Sequence, residues 1–312
     1  MENLIISINC VIPMFIVLCT GLLIRHSGVV PEDMFHNLST LSFHFLLPCM
    51  LFYNVYSADL STVIQPSLLL FLILWTLIWF GLNFAIYTFA EPDPRRRGAY
   101  IQNSFRSNIA VIGVSLAQAM LTQSGISSVA MAVSVMVPLY NILAVITLET
   151  CRGGGVDLKK TLLGILHNPL ILACMLGFVF LGLHIRLPSS VERAVSSLGS
   201  AGSITTLIAL GGSFQFSGVG KNRKPLIFCN VIRLVVTPLL SLTAALFFGF
   251  RGDALGIVLI CTASPAASTC YPMALACDSD HELTGQIVVI TSLLCSLSLF
   301  LWVFLLKQLA LL

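Results

Sequence analysis

The chain has 312 residues, of which 9% are charged and 57% hydrophobic, with a formal net charge of +3. An ordinary soluble domain carries roughly 25% charged residues, so too few are present here to cover a water-facing surface. Together with a mean hydropathy of +0.97, this excludes a soluble globular fold, and the basic residues, scattered over short loops, offer no surface for nucleic acid. The composition is that of an all-α polytopic membrane protein.

In chain order, ten segments reach the length of about 20 mostly apolar residues that a spanning helix needs. They are 4–24, 35–54, 66–89, 98–122, 126–149, 166–185, 188–212, 224–249, 253–277 and 281–306. Stretches such as Glu91-Pro92-Asp93-Pro94-Arg95-Arg96-Arg97 and Cys151-Arg152-Gly153-Gly154-Gly155 separate them. Glu2 is the only charge before the first apolar run, which does not read as a secretory leader. Cytoplasmic loops hold the excess of Lys and Arg. With the N-terminus outside, the inner connections hold Arg25, Arg95, Arg96, Arg97, Arg152, Lys159, Lys160, Lys221, Arg223 and Lys224. The outer ones hold only Arg186, Arg193, Arg251 and Lys307. A multi-pass protein of the cell (inner) membrane with both termini outside is expected.

Five spans per half is an odd number, so the second half must insert upside down. Residues 1–150 are expected as a first five-helix repeat, 151–165 as a cytoplasmic linker and 166–312 as an inverted second repeat. Spans 4 and 9 then correspond, and both are interrupted. One reads Asn108-Ile109-Ala110-Val111-Ile112-Gly113-Val114-Ser115, the other Ala263-Ser264-Pro265-Ala266-Ala267-Ser268-Thr269. Asn108 and Ser264 are 156 residues apart, half the length. Interrupted segments at matching points of two halves mark the binding site of a secondary transporter, near the bilayer midplane.

Pro265 lacks an N–H and clashes with the carbonyl one turn back, so it should break span 9. Gly113 permits a break in span 4. Unwound backbone at this depth survives only if buried or lining a cavity. The N-termini of the half-helices carry partial positive charge and free N–H groups, which suit anions. Ser107, Asn108 and Ser115, with Ser264, Ser268, Thr269 and Tyr271, can add neutral donors. The site suits a carboxylate on a small or mostly apolar body. The plainer alternative is that Pro and Gly only kink these helices and the hydroxyls bond their own backbone.

Arg106 and Arg233 are charges inside spans, and such residues are functional candidates by default. Arg106 stands two residues from Asn108. The structural alternative for Arg233 is pairing with carbonyls that the breaks free. Asn141 and His44 read as interhelical hydrogen bonds or packing, with Asn141 also a candidate for the site. All thirteen acidic residues lie in loops, in the N-terminal tail or at helix ends, which disfavours coupling through a buried aspartate pair. The ten cysteines form no CxxC pair and read as small buried hydrophobes. No metal site, cofactor or enzymatic constellation is expected.

Several stretches resemble the auxin efflux carrier family, within the bile/arsenite/riboflavin transporter superfamily. They are Leu47-Pro48-Cys49-Met50-Leu51-Phe52, Phe105-Arg106-Ser107-Asn108 with Gly113, Pro138-Leu139-Tyr140-Asn141, His167-Asn168-Pro169-Leu170, Arg233-Leu234-Val235-Val236-Thr237-Pro238 and Ala263-Ser264-Pro265-Ala266-Ala267. The region from Tyr271 to Trp302 is similar to prokaryotic members. The resemblance implies ten transmembrane helices as two inverted five-helix repeats with broken helices 4 and 9 crossing at the substrate site. It implies a scaffold of helices 1, 2, 6 and 7 that forms a homodimer, and a transport unit of helices 3–5 and 8–10 moving like an elevator. The family's helix 4 asparagine matches Asn108 and its helix 9 proline matches Pro265. Where the family often has Gly-x-Pro, this chain has Gly113-Val114-Ser115. The expected function is export of a small organic anion, a mono- or dicarboxylate. Sodium-coupled uptake and a non-transporting membrane sensor are the alternatives.

Overall fold

The computed structural model describes residues 2–31, 33–58, 65–152 and 158–312, with side chains from residue 9 onward except 10, 158–161 and 217. Gly153, Gly154, Gly155 and Asp157 of the expected linker lie outside the described residues, as do the side chains of Lys159 and Lys160. The described chain is helical throughout, and its only strand-like pairing is one isolated antiparallel bridge.

The helices are α1 Glu2–Ser27, α2 Asp33–Tyr56, α3 Pro66–Ala90, α4 Pro94–Phe105, α5 Ile109–Met120, α6 Gln123–Cys151, α7 Leu158–His167, α8 Pro169–Gly182, α9 Ser189–Ser213, the single turn α10 Ser217–Lys221, α11 Arg223–Phe247, α12 Asp253–Ala263, α13 Cys270–Ala276 and α14 His281–Gln308. Proline opens α3, α4 and α8, where its missing N–H is no loss. Asp93, Thr122, Asn168 and Asp280 cap α4, α6, α8 and α14 by accepting from backbone N–H groups of the first turn.

Six of these helices are long and apolar enough to cross a membrane: α2, α3, α6, α9, α11 and α14. The other four expected spans hold shorter apolar helices, Val11–Ser27, Ile109–Met120, Pro169–Gly182 and Asp253–Ala263. Spans 4 and 9 fall in this class because they are cut, and span 6 because Asn168-Pro169 ends one helix and starts the next. The second part of the expected linker is itself helical, as α7. The outer surface is apolar: α3 alone exposes Leu70, Leu74, Leu77, Ile78, Leu82, Ile86 and Phe89.

Successive connections meet at alternate ends of the bundle. At one end, rich in basic residues, Arg95 pairs with Asp278, Arg96 reaches Asn222 at 3.3 Å, and Arg25 donates to the Phe214 carbonyl at 3.1 Å. At the other, Tyr56 reaches Glu192, Thr122 bonds Asp253, and the Gly252 N–H meets the Leu311 carbonyl. Within the bundle α1, α2, α8 and α9 pack mainly on one another, and α3–α6 with α11–α14 form a second group. In the first group Gly211 and Gly21 let α9 and α1 cross backbone to backbone; a Cβ on Gly211 would overlap the Leu18 carbonyl.

Two helices widen into a π-turn, Ser42–Leu46 in α2 and Ile232–Val236 in α11. Each lies just before a proline, Pro48 or Pro238, which cannot donate back and pushes the preceding turn outward. The Leu234 carbonyl, one turn before Pro238, is taken instead by Ser298 Oγ at 2.8 Å and Trp302 Nε1 at 3.0 Å.

Candidate functional site

The gap between α4 and α5 is Arg106-Ser107-Asn108, and the gap between α12 and α13 runs from Ser264 to Thr269. The two gaps touch. Ser107 and Ala266 form the antiparallel bridge, and the Asn108 N–H donates to the Pro265 carbonyl at 2.9 Å. The break in span 4 is therefore earlier than expected. Gly113 and Ser115 lie inside α5, Gly113 against Ile260 and Ser115 exposed. With no proline at this point, nothing in α5 interrupts its hydrogen bonding. Arg106, Ser107 and Asn108 take the non-helical backbone instead, pinned by the pairing with span 9.

Arg233 holds the crossing together from behind. It projects from the π-turn of α11 and is 1% exposed. Its Nε and Nη2 donate to the Ser264 carbonyl at 3.0 and 2.7 Å, and its Nη1 to the Phe105 carbonyl at 3.4 Å. It thus serves the C-terminal ends of α4 and α12, the carbonyls that the breaks leave without helical partners. Ser264 Oγ bonds the Ile260 carbonyl, one turn back in its own helix.

Arg106 occupies the opposite side of the crossing and is also 1% exposed. Its Nη2 donates to Asn141 Oδ1 at 2.9 Å and Thr269 Oγ1 at 2.6 Å, and its Nη1 meets Met273 Sδ at 2.9 Å. Its Nε is buried without a partner, as are Ser107 Oγ and Ser268 Oγ. Asn108 stands at the N-terminus of α5 but does not cap it; its amide reaches only Met14 Sδ, at 3.5 Å. No carboxylate contacts Arg106 among the described residues.

Arg106, Ser107, Asn108, Asn141, Ser268 and Thr269 all line one cavity of about 20 Å³, whose lining also includes Met50 of α2 and Ser203 of α9. That is room for one water. Of the other sequence candidates, Ser264, Pro265 and Arg233 frame the crossing without lining the cavity. Tyr271 instead lines a separate polar cleft of about 220 Å³ at the basic end, with Arg25, Asp33, His36, His281 and Glu282. It lies two residues beyond the gap, in the first turn of α13. Arg106 makes the stronger positive feature at the crossing, because α13 has only seven residues and carries little dipole.

Sequence reasoning missed Met50 and Ser203, whose role is set by how two helix groups meet and leaves no local signal. It also missed Gln102, which is fully buried, donates to the Cys270 carbonyl at 3.3 Å and leaves Oε1 unpartnered. The polar run Gln102-Asn103-Ser104 inside an apolar span was the available signal. His44 is exposed and bonds the Thr40 carbonyl of its own helix.

The family model described as Membrane transport protein matches residues 6–155 and again residues 156–303. No curated protein matches the chain significantly. The two matches divide the chain at its midpoint and between them take in both gaps and nearly every residue. The chain belongs to the membrane transport protein family, that of the auxin efflux carriers.

Proposed function

We propose that this member of a transporter family exports a small organic anion, a mono- or dicarboxylate, across the cell membrane by an elevator-type alternating-access cycle. In this reading the chain makes ten passes in two inverted repeats, with α4–α5, α7–α8 and α12–α13 each counting as one. The basic end is cytoplasmic and both termini are outside. The group α1, α2, α8 and α9 is the scaffold of a homodimer, and the group carrying the crossing moves.

One observation carries the reading. Among the described residues Arg106 is a buried guanidinium with neutral partners and no carboxylate, and the buried hydroxyls of Ser107 and Ser268 have no hydrogen-bond partner. An unpaired buried charge and unmet hydroxyls are unfavourable. A carboxylate entering the cavity would meet all three and find the uncapped N-terminus of α5 next to them.

A cavity of about 20 Å³ excludes even a small carboxylate in this conformation. Substrate entry therefore requires Met50 and Ser203 to separate from the crossing, which is a movement of one helix group against the other. The cleft containing Tyr271 is the natural approach from the basic end. The membrane potential, at about 2.3 kcal/mol per charge per 100 mV, is sufficient to drive an anion outward without a co-ion.

The test is thermal stability of the purified protein against acetate, benzoate, malonate and succinate, followed by flux of the same compounds in proteoliposomes. A ligand that binds only the folded protein raises its stability by mass action. At least one carboxylate should stabilise the wild type and not Arg106→Met. If none shifts stability and none is transported, the organic-anion carrier reading is wrong.

A further inference from the structure

The structure assigns the voltage-sensitive step of the cycle to the empty carrier, because Arg106 and Arg233 bring two permanent positive charges to the crossing and a bound dicarboxylate neutralises both. This inference rests on the transport reading above and specifies the substrate's charge at that same site.

Both guanidinium groups are 1% exposed, and arginine stays protonated in proteins. They belong to the helix group that carries the crossing: Arg106 joins α4 to α5, and Arg233 sits in α11. Among the described residues their partners are neutral: Asn141, Thr269, Met273 and the carbonyls of Ser264, Phe105 and Ser104. The one buried acid among the described residues, Glu149, lies at the basic end within 3.4 Å of Arg152. The four helix ends at the crossing, two of each sign, add only partial charges.

The charge balance is then direct. When empty, the moving group carries two positive charges through the field. With a monoanion bound it carries one, and with a dianion bound none. An inside-negative potential does not push the dianion-loaded form outward. It pulls the empty form back to the cytoplasmic side, where it reloads, and over a full cycle two negative charges leave the cell. Arg233 makes no contact with the cavity, so the match to a dianion is one of total charge. The direct carboxylate contact is with Arg106.

The experiment compares exchange with net flux in proteoliposomes under potentials set with valinomycin and potassium, using labelled malonate and benzoate at alkaline pH. Exchange uses only loaded forms, whereas net flux also needs the empty return. Malonate exchange should change less than about twofold over 100 mV, while its net flux changes by up to about 50-fold for each charge that crosses the whole field. Benzoate exchange should depend on voltage. Arg233→Gln, which removes one charge outside the cavity lining, should make benzoate exchange voltage-silent and malonate exchange voltage-dependent, and Arg233→Lys should restore the wild-type pattern. Should these variants fail to fold, the two wild-type exchange measurements decide the matter. Malonate exchange as voltage-sensitive as its net flux, voltage-silent benzoate exchange in the wild type, or benzoate transport with no malonate transport would each overturn the charge assignment. Absence of flux for both compounds would instead overturn the carrier reading beneath it.

Discussion

The two buried arginines make opposite predictions, and replacing each with methionine, which keeps an unbranched apolar stem and removes the charge, separates them. Arg233 gives three hydrogen bonds of 2.7 to 3.4 Å to the carbonyls of Ser264 and Phe105. Losing them strands two buried acceptors at about 1–3 kcal/mol each and removes the cation from two helix C-termini, about 0.3–1 kcal/mol each. Relief of the guanidinium's own desolvation offsets part of this. A net loss of about 3 kcal/mol is expected for Arg233→Met, and at about 2 °C per kcal/mol for a chain of this size the melting temperature falls by about 6 °C. Arg106 instead bonds two side chains and a thioether, and has no anion against it. Removing it should leave stability within about 1 kcal/mol of the wild type, or raise it, since an uncompensated buried charge is also removed. Carboxylate binding should vanish. The assay is thermal unfolding in one detergent, with and without a transported carboxylate. Equal destabilisation by the two variants, or an Arg233→Met melting point within about 1 °C of wild type, would refute the division of labour.

Further outcomes follow from the same geometry. Asn108→Ala should fold normally and weaken carboxylate binding, read as loss of the ligand-induced shift in melting temperature. Ser107→Ala and Ser268→Ala each remove a buried hydroxyl without a partner; each should hold or gain stability by up to about 1 kcal/mol while lowering affinity. Pro265→Ala disturbs the segment whose carbonyl pairs with Asn108 and should reduce flux more than His44→Ala, a change at an exposed helix face. Gly211→Ala must force α1 and α9 apart at the Leu18 carbonyl, which should cost more than 2 kcal/mol and show as reduced yield of monodisperse protein.

The hydropathy of the chain revealed most of the architecture because a spanning helix must satisfy its backbone internally and be apolar for its whole length. Where that rule was broken, reading became harder. Span 9 disclosed its gap through Pro265, a residue whose chemistry forbids a continuous helix. Span 4 did not, because Arg106, Ser107 and Asn108 can all be helical. What holds them out is pairing with a segment 159 residues later in the chain (Ser107 with Ala266), and no local pattern encodes that. Gly113 and Ser115 looked suited to a break and proved to be ordinary helix. The same limit explains Met50 and Ser203, which reach the cavity only because of the way α2 and α9 meet the crossing. Arg233 was legible as a buried charge, but its service to two helix ends depended on the π-turn that Pro238 induces in α11.

The short antiparallel contact at Ser107 and Ala266 also bears on biogenesis. A ribosome finishes the first gap long before it makes the second, so during insertion Arg106 and the Asn108 amide wait in the translocon without the groups that will receive them. The N-terminal half made alone therefore carries an unsealed polar wound in hydrocarbon. Two fragments cut between α6 and α7 should each be unstable apart and should mend one another when produced in the same cell.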